Sequence, residues 1–352
     1  MKYYLAGIKR KNMSLLANLL SDLGYEVYGY EDDEYFDEKL AEKGVIICNN
    51  ILDLNEECIV VYDELEEGHR IFLKAKELNI KVYNYIDILQ KLIKKFNSVC
   101  VAGLQGSNIV CNMLKTAINS NYIIGNESFG NKEYENFIYE EKNINNTYES
   151  KYIVITSMDS PNKDNYENID DMINAFQKYA NNSNKLVIAC GDDPYTHTLN
   201  VNTQIFYYGI NEENDITAKN VEYSTEGTIF DVYVEDEYYG HFELPIYGKY
   251  MLLNALACIS ICHYERIDAK DVYKKLKEYS YFNEEINDNI ILNIDVKNEI
   301  ELKMIIKGIR QKYPQKDIYV LNNNFNELED INYISKNDIN KYNDCVILKL
   351  EG

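Results

Sequence analysis

The chain has 352 residues, with 36 Lys and Arg against 58 Asp and Glu, and a formal net charge of −22. That balance excludes a protein built to neutralise a nucleic-acid backbone, which needs clustered cations, and one drawn to an anionic membrane surface. A hydrophobic fraction of 46% with 27% charged residues is the composition of a globular chain, long enough for two or three domains with cores of their own.

The opening "MKYYLAGIKRKN" has no apolar signal core, and no apolar run approaches the ~18 residues that span a bilayer, so a cytoplasmic chain without membrane insertion is expected. "YYLAGI" (3–8) reads as a strand, and "MSLLANLLSDLG" (13–24) as a helix with Leu15, Leu16, Leu19 and Leu20 on one face and Gly24 at its end. "YEVYGY", "VIIC", "CIVVYD" and "KVYNYI" read as further strands, with "EKLAEKG" and "RIFLKAKELN" as helices between them. Strands alternating with helices predict a parallel, doubly wound sheet, ending near residue 95. A second unit opens at "SVCVAG" (98–103) and runs through "FIYEE" (137–141), "YIVITSMD" (152–159), the helix "IDDMINAFQKYA" (169–180) and "KLVIACGDDP" (185–194). Within it, "GTIFDVYVEDEYYGHFELPIYG" (227–248) predicts an antiparallel hairpin, followed by two helices. The Asn-rich stretch 126–149 is expected to be a mobile loop. "NIILNID", "IELKMIIKGIRQKYP", "DIYVL" and "DCVILKL" predict a small β-α-β remnant at the end. The predicted division is 1–95, 96–284 and 285–352.

The stretch "VAGLQGSNIVCNMLKTAI" (101–118) has the outline of a phosphate-binding loop: a strand, Gly103, Gly106, then an amphipathic helix. A working loop carries lysine and then a hydroxyl after its second glycine; this chain has Ser107 and Asn108. The eight cysteines lie mostly in apolar runs with no C-x-x-C pair, which points to buried reduced thiols rather than zinc or redox motifs. His69, His197, His241 and His263 are isolated and share no ligand spacing. The 33 tyrosines suit half-buried faces and interfaces, so self-association or partner binding is a further expectation.

These elements, in this order, resemble the Mur ligase family, and within it the C-type, alanine-adding branch. "GYEVYGYED" and "AKELNIKVYNYIDILQKLIK" resemble its N-terminal domain. "SVCVAGLQGS" stands where the family has A-G-T-H-G-K-T. "GDDP" (191–194) and "GTIFDVYVEDEYYGHFELPIYGKYMLLNALACIS" (227–260) resemble the central domain, and "IIKGIRQKYP" (305–314) a C-terminal-domain helix. The resemblance implies an α/β protein of three domains: a Rossmann-like N-terminal domain, a P-loop-like central domain with an antiparallel hairpin, and a C-terminal α/β domain cut short at "VILKLEG". It also implies ATP-driven ligation of UDP-N-acetylmuramate to L-alanine, with ATP and Mg as cofactors. Phosphoryl transfer of that kind needs a loop cation and a held metal ion at the β/γ-phosphates.

Position by position, most of those groups are missing. Ser107 replaces the lysine, Asn108 and Ile109 replace the metal-holding hydroxyls, and Asn162 stands where the family has a histidine. The family's His-Asn pair becomes Tyr250 and Met251, while Asn254 survives; "NIDVKNEIE" replaces D-D-Y-A-H-H-P-T-E, and a paired arginine before Phe282 is lost. Glu140 falls on a magnesium-binding Glu of the family. The neighbouring Lys115 and Lys142 are poor substitutes for the loop lysine. The sugar-nucleotide end is eroded in the same way: the glycine-rich first turn keeps only Gly7 and Ser14 around Lys9, Arg10 and Lys11, with Glu31 at the end of the next strand facing a ribose or solvent.

Three readings remain open at this level. The first is a family member that no longer catalyses and survives as a binding or regulatory protein of cell-wall precursor synthesis. Its partners would be UDP-N-acetylmuramate or a related precursor, another Mur ligase, or a second copy, with no resident cofactor. The second is an active ligase with a divergent site, using ATP and Mg. The third is an interaction role that reuses the scaffold.

Overall fold

A computed structural model describes residues 2–48, 51, 54–55, 57–64, 69–145, 148–158, 166–286, 289–321, 331–335 and 341–351. Apolar strands too short to bury themselves alone pair into three sheets, each covered by amphipathic helices. The first contains β1 (Lys2–Ala6), α1 (Lys11–Asp22), β2 (Glu26–Tyr30), α2 (Glu38–Glu42), β3 (Ile46–Cys48), β4 (Cys58–Tyr62), α3 (Arg70–Glu77), β5 (Lys81–Asn84) and α4 (Tyr85–Lys95). Its strands are all parallel in the order β3-β2-β1-β4-β5, so the direction of winding reverses beside β1, where its outgoing turn carries Gly7 to Arg10.

The central sheet is built from β6 (Asn97–Ala102), α5 (Ser107–Ala117), β7 (Ser120–Ile124), β8 (Glu127–Phe129), β9 (Asn136–Glu140), β10 (Ser150–Ile155), α6 (Ile169–Ala180), β11 (Ser183–Cys190), β12 (Gln204–Gly209), β13 (Ile216–Tyr223), β14 (Thr228–Val234), β15 (Glu237–Leu244), α7 (Gly248–Tyr264) and α8 (Ala269–Leu276). The order is β15-β14-β13-β12-β11-β10-β6-β9-β7-β8, parallel in the middle and antiparallel at both edges. The expected hairpin is β14–β15, turning through Glu235 and Asp236 at positive φ of 48° and 67°. Here too β6 sits at a reversal, with β10 on one side and β9 on the other, and the loop after it opens there. α7 is apolar around most of its circumference and runs buried through the core.

Two expectations are corrected. The stretch 126–149 is not simply a loop, because it holds β8 and β9. Two of its asparagines tie down local backbone: Asn131 Oδ1 accepts from Glu133 N at 2.9 Å, and Asn136 Nδ2 donates to Asn119 O at 3.0 Å. The terminal piece is larger than a β-α-β remnant. β16 (Asn283–Ile286), β17 (Ile290–Asp295), α9 (Glu299–Lys312), β18 (Ile318–Leu321), β19 (Asn332–Ile334) and β20 (Val346–Glu351) form a sheet in the order β16-β17-β20-β18-β19.

α9 meets the start of α7 backbone to backbone. Gly248, at φ +83°, faces Gly308, and a Cβ on Gly308 would lie 2.3 Å from the Tyr247 carbonyl oxygen. Gln311 ties the same junction, accepting from Gly248 N at 2.8 Å and donating to Ser224 O at 2.7 Å.

Candidate functional site

The loop 103–106 is shaped by two close approaches. A side chain on Gly103 would sit 2.0 Å from Thr156 Oγ1, and one on Gly106, at φ +82°, would sit 2.4 Å from Asn254 Oδ1 on α7. Gly103, Gly106, Ser107, Asn108, Asn254 and Glu140 are thus brought together, as the sequence reading grouped them. Gly106 ends the turn and starts α5, leaving its amide at the positive end of that helix.

Glu140, at the end of β9, is buried beside the loop and satisfied on both oxygens. Its Oε1 accepts from Ser107 Oγ at 3.1 Å, and its Oε2 accepts from Asn108 Nδ2 at 3.1 Å and Gly125 N at 2.8 Å. The Lys297 ammonium lies 2.8 Å from Oε1 and also donates to Ser107 Oγ. Burial would raise this carboxyl; the Lys297 charge, then the hydrogen bonds from Lys297, Asn108 and Gly125, overcome that and hold it at about 2. It is a carboxylate at any ordinary pH.

The anion position of the loop is taken as well. Glu301, in the first turn of α9, puts its Oε1 3.1 Å from Gly106 N and 2.5 Å from Tyr250 Oη, while its Oε2 accepts from Lys297 N at 2.7 Å. Asn298 caps α9 by accepting from Ile300 N and Glu301 N, and its Nδ2 donates to Leu104 O at 3.0 Å. Beside this contact is a cavity of about 300 Å³ lined by Gln105, Thr156, Lys249, Tyr250, Met304 and Lys307. Lys249 there pairs with Asp192 at 2.8 Å.

Sequence reasoning missed Lys297 and Glu301. It saw only that their segment departs from the family's motif, and it found no cation able to reach the loop. Lys297 does reach it. Lys115 does not, being paired with Glu127 at 3.0 Å, and Lys142 donates to Gly125 O at 2.7 Å. Asn162 lies outside the described residues.

The N-terminal turn brings Gly7, Lys9, Arg10 and Glu31 together. Glu31 accepts from Lys9 N at 3.0 Å in an exposed contact, and Arg10 is engaged by Glu64 at 3.0 Å. Ser14 turns its hydroxyl to Lys11 O at 2.9 Å. The Lys142 ammonium is pushed down by burial and next by the charge of Lys11, while Glu140 opposes the shift, so Lys11 at this turn and Lys142 beside the loop are close enough to repel.

As the side chains stand, a magnesium ion would have to displace Lys297 to reach Glu140. Glu140 already has an ammonium and three neutral donors on it. The Gly106 amide is not open to a phosphate while Glu301 holds it.

Fold and site together define a multi-domain α/β protein organised around a phosphate-loop scaffold. Residues 2–97 match the model of the Mur ligase family catalytic domain, and residues 132–262 that of the Mur ligase middle domain. A UDP-N-acetylmuramate–L-alanine ligase of Lacticaseibacillus casei (strain BL23) is 32% identical over 333 residues, which are 90% of this chain and 76% of the relative. This chain belongs to the Mur ligase family. Among solved structures, the UDP-N-acetylmuramate–alanine ligase MurC of Thermotoga maritima superposes with a TM-score of 0.74 at 17% identity, covering 99% of this chain and 95% of that one. A pseudomurein peptide ligase type C from Methanothermus fervidus gives 0.70 at 14% identity, covering 100% and 97%. Both show the same fold.

Proposed function

We propose that this chain is a C-type Mur ligase homologue serving peptidoglycan precursor synthesis without catalysing ligation, as a binding or regulatory protein for UDP-N-acetylmuramate or a related precursor. One observation carries the reading: Ser107, Asn108, the Gly125 amide and Lys297 are all spent on Glu140. A phosphoryl transfer needs an available cation at the β/γ oxygens and a carboxylate available to a metal, and the engagement of Lys297 and Glu140 with each other speaks for a site that supplies neither. The like charges of Lys11 and Lys142, close enough to repel one another, support an anion such as a diphosphate or carboxylate beside the N-terminal turn.

The test incubates the purified chain with ATP, Mg²⁺, UDP-N-acetylmuramate and L-alanine, and follows ADP and amide product, with calorimetry against each ligand alone. The expected result is binding of the sugar nucleotide and no amide. Product formed at about 1 s⁻¹ or faster would overturn the proposal. A second reading, an active ligase in which Lys297 replaces the loop lysine, is favoured by the contact of Lys297 with Ser107. On that reading Lys297→Ala would lower turnover roughly 10²–10³-fold.

A further inference from the structure

We propose that the segment 297–301 is an internal latch on the phosphate loop, so that docking of the C-terminal sheet and binding of an oligophosphate at Gly106 exclude one another. This concerns regulation of the site discussed above and rests on that reading only in taking the bound phosphate not to be consumed. Glu301 reaches the Gly106 amide across 195 residues of sequence. It sits where the start of α5 favours negative charge, and it is buried, at 2% exposure. Its two oxygens have three donors between them: Gly106 N, Tyr250 Oη and Lys297 N. The flanking residues fasten neighbouring residues of the loop, Asn298 through Leu104 O and Lys297 through Ser107 Oγ.

A carboxylate so placed is the internal equivalent of a phosphate oxygen. Two anions cannot share one amide in a buried site, because their repulsion is far less screened there than in water. A phosphate chain entering the loop must displace Glu301, and with it the N-terminus of α9 to which Glu301 and the Asn298 cap belong. Ligand-driven domain movement would then run toward opening, the reverse of a lid that closes over its substrate.

The probe is inorganic tripolyphosphate, which has no base or sugar to bind elsewhere. Its affinity is measured by calorimetry on the full chain, and the radius of gyration by small-angle scattering with and without saturating probe. The wild type is expected to bind weakly and to expand on binding. Glu301→Ala should bind at least tenfold more tightly, and Tyr250→Phe, which removes one donor from the latch, should move the same way by a smaller factor. A folded Glu301→Ala protein with unchanged affinity overturns the latch, as does binding to the wild type with no change in radius. If Glu301→Ala does not fold, Tyr250→Phe decides: tighter binding supports the latch and unchanged binding overturns it. Amide product from the wild type would overturn the non-catalytic function and leave this result standing.

Discussion

Replacing Lys297 by alanine removes the ammonium from Glu140 but keeps the backbone N–H that donates to Glu301. The Glu140 side chain is 1% exposed, so the variant must bury a carboxylate whose donors are all neutral. Breaking a fully buried pair costs about 3–5 kcal/mol; with 32% of the Lys297 side chain exposed, water relieves part of that, and we expect about 1–3 kcal/mol. That corresponds to a fall in Tm of roughly 2–6 °C. The pH dependence has a definite sign. In the wild type the Glu140 carboxyl is held at about 2 against an ordinary value of 4.5, so its contribution is complete above about pH 5 and is lost as pH falls from 4.5 through 2. Without Lys297, burial is less opposed and the carboxyl rises. The deficit of the variant should therefore be largest at neutral pH and narrow steadily on acidification. A cycle with Glu140→Gln isolates the pair by thermal and urea unfolding. The double variant should recover most of the loss, and a coupling below about 0.5 kcal/mol would refute the reasoning.

Gly308→Ala should cost about 1–3 kcal/mol and loosen the C-terminal sheet in hydrogen exchange, because its Cβ would meet the Tyr247 carbonyl at 2.3 Å. Gly106→Ala combines a φ of +82° with a 2.4 Å encounter with Asn254 Oδ1. A comparable loss is expected from it in thermal unfolding, larger than for a glycine-to-alanine change in open space at ordinary φ. Lys11→Ala with Lys142→Ala should weaken UDP-N-acetylmuramate binding about tenfold in calorimetry and flatten its salt dependence, since screening acts on exposed charges.

The loop was legible because its cues are local. Gly103 and Gly106 lie between an apolar strand and an amphipathic helix, and only glycine fits where Thr156 and Asn254 press on the backbone. The parallel first sheet and the β14–β15 hairpin followed from alternation and turn chemistry in the same way. What the sequence hid acts over distance. Lys297 reaches Ser107 across 190 residues and Glu301 reaches Gly106 across 195, and no periodicity announces such a pairing. The Asn-rich stretch misled for a different reason: asparagine is as much a turn-closing residue as a solvated one, and composition cannot tell which hydrogen bonds it will make. The surface turn at Gly7 to Arg10 read as basic, yet its charges are partly met by Glu64 and Asp33, which the order of residues did not place nearby.

Where α9 crosses the head of α7, Gly248 and Gly308 leave no side chain between the two backbones. A joint without an interposed side chain resists sliding, since any shift along the axes drives main chain into main chain. The C-terminal sheet therefore meets the core main chain to main chain, with Gln311 pinning the same junction. A bulkier residue at either glycine would wedge the two helices apart at this point.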